Sequence, residues 1–312
     1  MVSRRALLAG LAAAPFAPRL GAGAEPAGGL FVPAGRLAAL RAGAEEGRKA
    51  AFLARAAERM GHEPRPFAAP PDAIRFGWHE PAAPPDDTLR EAVDRLHHDT
   101  DAARDLALAF ALGAGAALGA AAARILLAWA RRGRPVNLYD YAPDFAAGEM
   151  RGGTEGFRSA RPWNFGLDMV WQGYGLLNGA DALLLLRHGG HGFAPDEAAA
   201  LEDWVRTLAE AVNSGLHAWT RWAEANAAGA EGARFHGGFG GEDAAATALE
   251  RHLTDNHLSW AMAGLLAAAA ALDDRALAEH VLAGKPWRDR RAGLRRNLAP
   301  LPEVIRRAIE PD

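Results

Sequence analysis

Apolar residues recur every three or four positions along most of the chain, which is the spacing of an α-helix that buries one face. Leu89, Val93 and Leu96 begin one such series, and the series continues to Leu112. Further series predict helices over 33–59, 116–131, 165–187 and 195–222. Helical spacing resumes through Leu249 and, after Asp255 and Asn256, runs through Trp260 to Leu272. Shorter helices are predicted over 273–282 and 304–309. No segment of useful length alternates apolar and polar residues, so we expect no β-sheet.

Glycine and proline separate these series. Gly113 and Gly115 lie between two helical patterns that we expect to form a hairpin. Successive antiparallel hairpins with long loops between them predict an all-α fold, an α/α toroid (an incomplete helical barrel) whose loops form a cleft at one end. The helical period alone does not distinguish this toroid from an open α-solenoid.

Several clusters of chemically interesting residues fit ordinary structural roles. Trp129, Trp204, Trp219 and Trp222 fall at helical spacing and are predicted to pack in the core. Asp94, His97, His98 and Asp101 could form a metal-binding face, but a polar helix surface is the preferred interpretation. Five arginines within 288–296 are interpreted as a solvated helix face, with contact to an acidic polymer as the alternative. We expect no metal and no cofactor.

Composition narrows the class of protein. Hydrophobic residues make up 50% and charged residues 23%, as in a globular protein, and 25–312 is expected to form one domain. Cysteine is absent, which excludes disulfides, thiolate metal sites and a cysteine nucleophile. The formal net charge of −3 argues against a nucleic-acid partner.

Residues 1–24 are predicted to be a signal peptide. Arg4 and Arg5 precede an apolar run from Ala6 to Ala14, and Ala22–Ala24 offers a small-residue cleavage site. The paired arginines suit the twin-arginine route, although a general secretory signal fits as well. The apolar run is too short to span a bilayer. A periplasmic or secreted protein without a membrane span is therefore expected.

One segment resembles a known family. The run Asp255-Asn256-His257-Leu258-Ser259-Trp260 resembles the Asn-Asn-His-x-x-Trp signature of the alginate lyases. The segments 106–110 and 125–129 resemble the helical hairpin of that family, and 137–142 resembles its asparagine-aromatic loop. The resemblance covers roughly residues 70–312.

The resemblance implies a polysaccharide lyase that cleaves an alginate-like polyuronate by β-elimination. In that reaction, hydrogen-bond donors neutralise the sugar carboxylate, a base removes the C5 proton, and an acid protonates the leaving O4. The resemblance assigns the carboxylate to Asn256 and the role of base or second donor to His257, and it places Trp260 in the cleft. The expected partner is an anionic polysaccharide bound by a monomer.

The chain departs from the family pattern at two points. Asp255 replaces the first Asn of the signature, a change that suits a helix N-cap. The family's tyrosine, which serves as acid and, for mannuronate, also as base, would follow Asp312, where the sequence ends. The resemblance therefore implies a truncated lyase, or one whose activity is lost or rebuilt, and Tyr139, Tyr141 and Tyr174 all lie far upstream.

Further substrate contacts are predicted in the long loops, because Trp rings stack on pyranoses and Arg forks match carboxylates. These candidates are Trp78, His79, Asn137, Tyr139, Arg161, Trp163 and Asn164. The tryptophans could equally pack in the core, with the Arg161 guanidinium in solvent. Two other functions stay open: a glycoside hydrolase, which needs two opposed carboxylates, and a non-catalytic polysaccharide-binding protein.

Overall fold

The computed structural model of the chain describes residues 28–66, 87–133, 171–228, 256–289 and 293–295. Helices account for most of these residues, which confirms the all-α class. The α-helices are α1 (Ala34–Arg41), α2 (Glu46–Glu58), α3 (Asp87–Ala111), α4 (Ala116–Arg132), α5 (Gln172–His188), α6 (Pro195–Ala228), α7 (Asn256–Leu272) and α8 (Arg275–Ala283). A 3-10 turn at Arg59–Gly61 follows α2.

Helices α3, α5 and α7 lie side by side and run in the same direction. Leu96 of α3 lies against Gly175 near the start of α5, and Phe110 at the far end of α3 lies against Gly189. Gly173 at the start of α5 lies against Ala261 and Gly264 in the first half of α7, and the Arg187 guanidinium donates to the Ala271 carbonyl near the other ends of both helices, at 2.5 Å. The three helices therefore form one layer with α5 in the middle.

Helices α4 and α6 return antiparallel to α3 and α5. The Trp129 indole of α4 donates to Asp99 of α3 at 2.7 Å, while Gly119 lies against Phe110 near the turn. Arg187 of α5 pairs with Glu202 of α6 across the next turn. The predicted helical hairpins are therefore confirmed for the described residues.

The core lies between this layer and the returning helices. Leu106, Ile125, Leu176 and Leu183 are among its fully buried side chains. Trp129 and Trp204 are also buried, as the sequence predicted, whereas the side chains of Trp219 and Trp222 lie outside the described residues. Helix α5 is buried on nearly all sides, as expected for the central helix of the layer.

Two predictions about local structure were wrong. The single helix expected over 33–59 is divided into α1 and α2, because the chain turns at 42–45 and Glu45 adopts a left-handed φ of 55°. The arginine-rich segment near 288–296 is not a helix face. It contains two antiparallel strands, β1 (Trp287–Asp289) and β2 (Gly293–Arg295), and the buried Trp287 attaches β1 to the core.

Two buried carboxylates attach the N-terminal part of the chain to the helical layer. Asp99 accepts hydrogen bonds from the His62 ring, the Arg65 amide and the Trp129 indole, at 2.6 to 2.8 Å. Asp181 accepts from the Leu30 amide and from the Arg104 guanidinium. Such carboxylates are stable in the interior because donors surround them. In the described part of the chain, no helix is both long and apolar enough to cross a bilayer.

The crossing of α5 and α7 depends on two glycines. A Cβ atom on Gly264 would clash with the backbone of Gly173, and a Cβ on Gly173 would lie 3.0 Å from the Ala261 Cα. Because these obstacles are backbone atoms, side-chain rotation cannot relieve the overlap. The two helices can approach this closely only when both positions lack a side chain.

We expect Gly264→Ala to lower the free energy of unfolding by about 1–3 kcal/mol, the usual range for overpacking a tight contact. The measurement is urea unfolding followed by circular dichroism. Gly47→Ala is the matched control, because Gly47 also lies in a helix but has no atom within 4 Å of its added Cβ. Equal stability of the two variants would contradict the close contact.

Candidate functional site

The candidate site lies at the end of the layer where α5 and α7 begin. Helix α5 starts at Gln172 and helix α7 at Asn256, and α3 passes beside them at His97. The first turn of a helix has backbone N–H groups without helical partners and carries the positive end of the helix dipole. The start of α7 is therefore suited electrostatically to a negatively charged group, whereas Trp171, the residue before α5, is already helical.

An aromatic-polar cluster joins the three helices at this end. Its members are His97 and Asp101 of α3, Trp171, Tyr174 and Asn178 at the start of α5, and Trp260 of α7. The Tyr174 ring lies edge-on to the Trp260 ring, with centroids 5.3 Å apart, and edge-on to the His97 ring at 4.6 Å. Trp171 is 36% exposed and lies 5.6 Å from His97. The cluster thus extends from the core to the surface.

One carboxylate oxygen connects the polar members of the cluster. Asp101 Oδ1 accepts the Tyr174 hydroxyl at 3.0 Å and the Asn178 amide at 2.6 Å. Tyr174 and Asn178 are four residues apart and therefore share a face of α5. Asn178 is only 2% exposed, so its amide is firmly held. Asp101 thereby fixes the Tyr174 hydroxyl from the neighbouring helix.

Burial raises the pKa of the Tyr174 phenol, and the negative charge of Asp101 acts in the same direction, while the Asn178 hydrogen bond opposes both. The charged phenolate would be desolvated and would lie beside a carboxylate. Tyr174 therefore keeps its proton at neutral pH and acts as a donor.

His97 has a defined tautomer in this cluster. Its Nε2 lies 2.8 Å from the Trp171 carbonyl oxygen, and since a carbonyl only accepts, Nε2 carries the proton. Burial lowers the pKa of His97, which the hydrogen bond to Trp171 and the charges of Asp101 and Asp94 partly oppose. In the neutral ring that results, Nδ1 keeps a lone pair.

Of the predicted site residues, one is described with its side chain and two are described by their backbone alone. Trp260 lies in α7 and contacts Tyr174. Asn256 and His257 form the first turn of α7, and only their backbone is described. They precede Trp260 by four and three residues, so their positions share its side of the helix. The other candidates lie outside the described residues: Trp78, His79, Asn137, Tyr139, Arg161, Trp163 and Asn164.

Tyr174, Asp101 and Asn178 were not predicted from the sequence to be site residues. The interpretation of His97 and Asp101 as part of a polar helix surface was wrong, because both face α5 and are half-buried. A signal was present in α5, where Asn178 and Asp181 interrupt an otherwise apolar helix. Buried polar residues in such a helix need partners from neighbouring elements. Among the described residues, no group of three or more His, Asp or Glu side chains could hold a metal ion.

Acid should destabilise the protein through His97. Since the folded-state pKa of His97 lies below its ordinary value of 6.5, the unfolded chain binds the proton first as the pH falls. The stabilising contribution is therefore complete above about pH 6.5 and is lost progressively below it. His97→Gln should lose less stability than the wild type between neutral and mildly acidic pH, as measured by urea unfolding over a pH series.

His191→Gln is the matched control for this measurement. His191 contacts Phe110 and Phe193 near the opposite end of α5, so its replacement should leave the surroundings of His97 and the acid sensitivity as in the wild type. An identical loss of stability on acidification in the wild type and in His97→Gln would show that His97 titrates normally.

Comparisons with known proteins contribute no relative of this chain. No protein-family model matches it. No curated protein and no solved structure matches it either. The function is therefore inferred from the contacts around Trp260 and from the sequence motif.

Proposed function

We propose that the chain is a polysaccharide lyase that cleaves an alginate-like polyuronate by β-elimination at the start of α7. The observation that carries this proposal is the position of the Asn256-His257-x-x-Trp260 motif. It opens a helix, and its tryptophan packs against the ring of Tyr174 within the aromatic-polar cluster. Tyr174 in turn contacts His97 and Asp101 of α3, and a purely apolar contact between helices would not need these polar side chains.

The reaction chemistry supports this location. The C5 proton of a uronate becomes acidic only when the neighbouring carboxylate is neutralised by donors. In our proposal, the Asn256 amide and the free N–H groups of the first turn of α7 bind that carboxylate. His257 then removes the C5 proton, since the ordinary pKa of histidine lies near working pH.

The proposed fold is the α/α toroid expected from the sequence. Its support is the parallel layer of α3, α5 and α7, in which α3 and α5 are each followed by an antiparallel return helix. A toroid repeats this arrangement around a ring and collects its loops at one end. In chain order, Trp78 and His79 precede α3, and the other predicted loop residues precede α5. We propose that they contribute to the same cleft.

The proposed location is the periplasm or the cell exterior, reached by way of the signal peptide predicted for 1–24. In this proposal, the mature protein would meet its acidic polysaccharide there. The expected charge of the mature chain is more negative than −3, because Arg4, Arg5 and Arg19 would be removed with the signal. Attraction of the polymer would therefore have to come from local groups at the cleft and not from net charge.

The test is to incubate purified protein with polymannuronate and to follow the ultraviolet absorbance of the C4–C5 double bond. We expect the wild type to produce this absorbance, and His257→Ala to reduce kcat by about 10²–10⁴-fold, the usual contribution of general base catalysis. His191→Ala is the control, because His191 contacts Phe110 and Phe193 near the opposite end of α5. It should retain full activity.

Other outcomes would select a different function. New reducing ends without the absorbance would indicate a glycoside hydrolase. Binding of the polymer without cleavage would indicate a non-catalytic polysaccharide-binding protein. Unchanged activity in His257→Ala would remove the motif from the mechanism.

A further inference from the structure

β-Elimination needs a proton donor as well as a base, because the bond from C4 to O4 breaks with its electron pair on O4. Beside Trp260, the side chains of Tyr174 and His97 each carry a proton on an oxygen or nitrogen that could be transferred to a sugar oxygen. The proton on His97 Nε2 is directed at the Trp171 carbonyl. The Tyr174 proton is held by Asp101, but a phenolic O–H can rotate about its C–O bond whereas a ring N–H cannot, so the Tyr174 hydroxyl is the better placed donor.

We propose that Tyr174 is the catalytic acid of this site and that Asp101 is its positioning residue, an inference that rests on the proposed lyase function. The ring of Tyr174 contacts Trp260, and position 257 lies one helical turn from Trp260, about 5 Å along the axis. A base at 257 and an acid at 174 can therefore address the same sugar ring.

Asp101 keeps one hydrogen-bond donor when the Tyr174 hydroxyl turns away from it, so the carboxylate charge is not left unpaired. In the free protein, Asp101 Oδ1 accepts from both Tyr174 and Asn178. A phenolic O–H can rotate about its C–O bond and turn from Asp101 to a sugar oxygen. When it does so, the Asn178 amide still donates to Asp101 at 2.6 Å. Asn178 thereby removes much of the cost of the rotation.

The proton and electron balance of the step is complete without any co-reactant. His257 accepts the C5 proton, and the electrons of that C–H bond form the C4–C5 double bond. The C4–O4 bond breaks, and O4 receives its proton from the Tyr174 hydroxyl. The imidazolium of His257 then returns a proton to the phenolate through solvent, which restores both groups.

The raised pKa of Tyr174 fits an acid better than a base. The phenol stays protonated at neutral pH, when the polymer binds. It is nevertheless a stronger acid than a sugar hydroxyl, so proton transfer to the departing O4 alkoxide is favourable. Removing the charge of Asp101 should lower the pKa of Tyr174, because that charge disfavours the phenolate.

The first variant is Tyr174→Phe, which retains the ring that packs on Trp260 and removes only the hydroxyl. We expect kcat on polymannuronate to fall by about 10²–10⁴-fold, the range for loss of general acid catalysis, with KM changed less than threefold. Thermal unfolding should stay cooperative. A kcat within threefold of the wild type would overturn the assignment of Tyr174.

The second variant is Asp101→Asn, which tests positioning through a pH profile. Activity needs the protonated phenol and is lost above the pKa of Tyr174, so the alkaline limb of kcat should move to lower pH in this variant. Ultraviolet titration of tyrosine should show the same downward shift, which Tyr174→Phe identifies among the three tyrosines of the chain. A purely structural role would not move both measurements together.

Asp105→Asn is the matched control for Asp101→Asn. Asp105 is one turn further along α3 and pairs with Arg59, at 3.0 Å. Its replacement should leave the alkaline limb in place. If the alkaline limb of the kcat–pH profile moves equally in both variants, or in neither, the role of Asp101 is overturned. Failure of the wild type to form the unsaturated product would instead overturn the proposed function, so the two failures are distinguishable.

Discussion

The contact between Gly173 and Gly264 is the constraint on which the arrangement of this end of the molecule depends. The two helices α5 and α7 approach until backbone meets backbone, with no room for a side chain between them. This approach brings the rings of Tyr174 and Trp260 together. With a wider separation, the motif at the start of α7 would lose its contact with the polar groups of α3 and α5.

Buried carboxylates then connect the helices of the layer. Asp181 and Asp99 attach the N-terminal part of the chain to α3, α4 and α5, and each is surrounded by donors. Asp101 is different, because it is half-buried and accepts the hydroxyl of Tyr174, a residue that is itself only partly buried. A fully enclosed carboxylate stabilises a fold, whereas a half-buried carboxylate that positions a hydroxyl can also take part in chemistry.

The proposed mechanism separates its two proton transfers between helices. The base is assigned to α7 and the acid to α5, while the positioning carboxylate comes from α3. Each group is placed by a rigid helix and not by a loop, which favours precise geometry. The proposal assigns the different task of binding the polymer to the candidates that precede α3 and α5 in the sequence.

The sequence by itself determined the helical class, most helix positions and the start of α7 at Asn256, because these follow from local periodicity and capping. It did not reveal that α1 and α2 are separate helices, because the helical period does not show the left-handed turn at Glu45. It also did not reveal that 287–295 contains strands, because two paired strands of three residues are too short to show an alternating pattern. It also could not pair Asp101 with Tyr174, which lies 73 residues away. Only the tertiary structure decided this pairing, because close packing through Gly173 and Gly264 sets which helix faces meet.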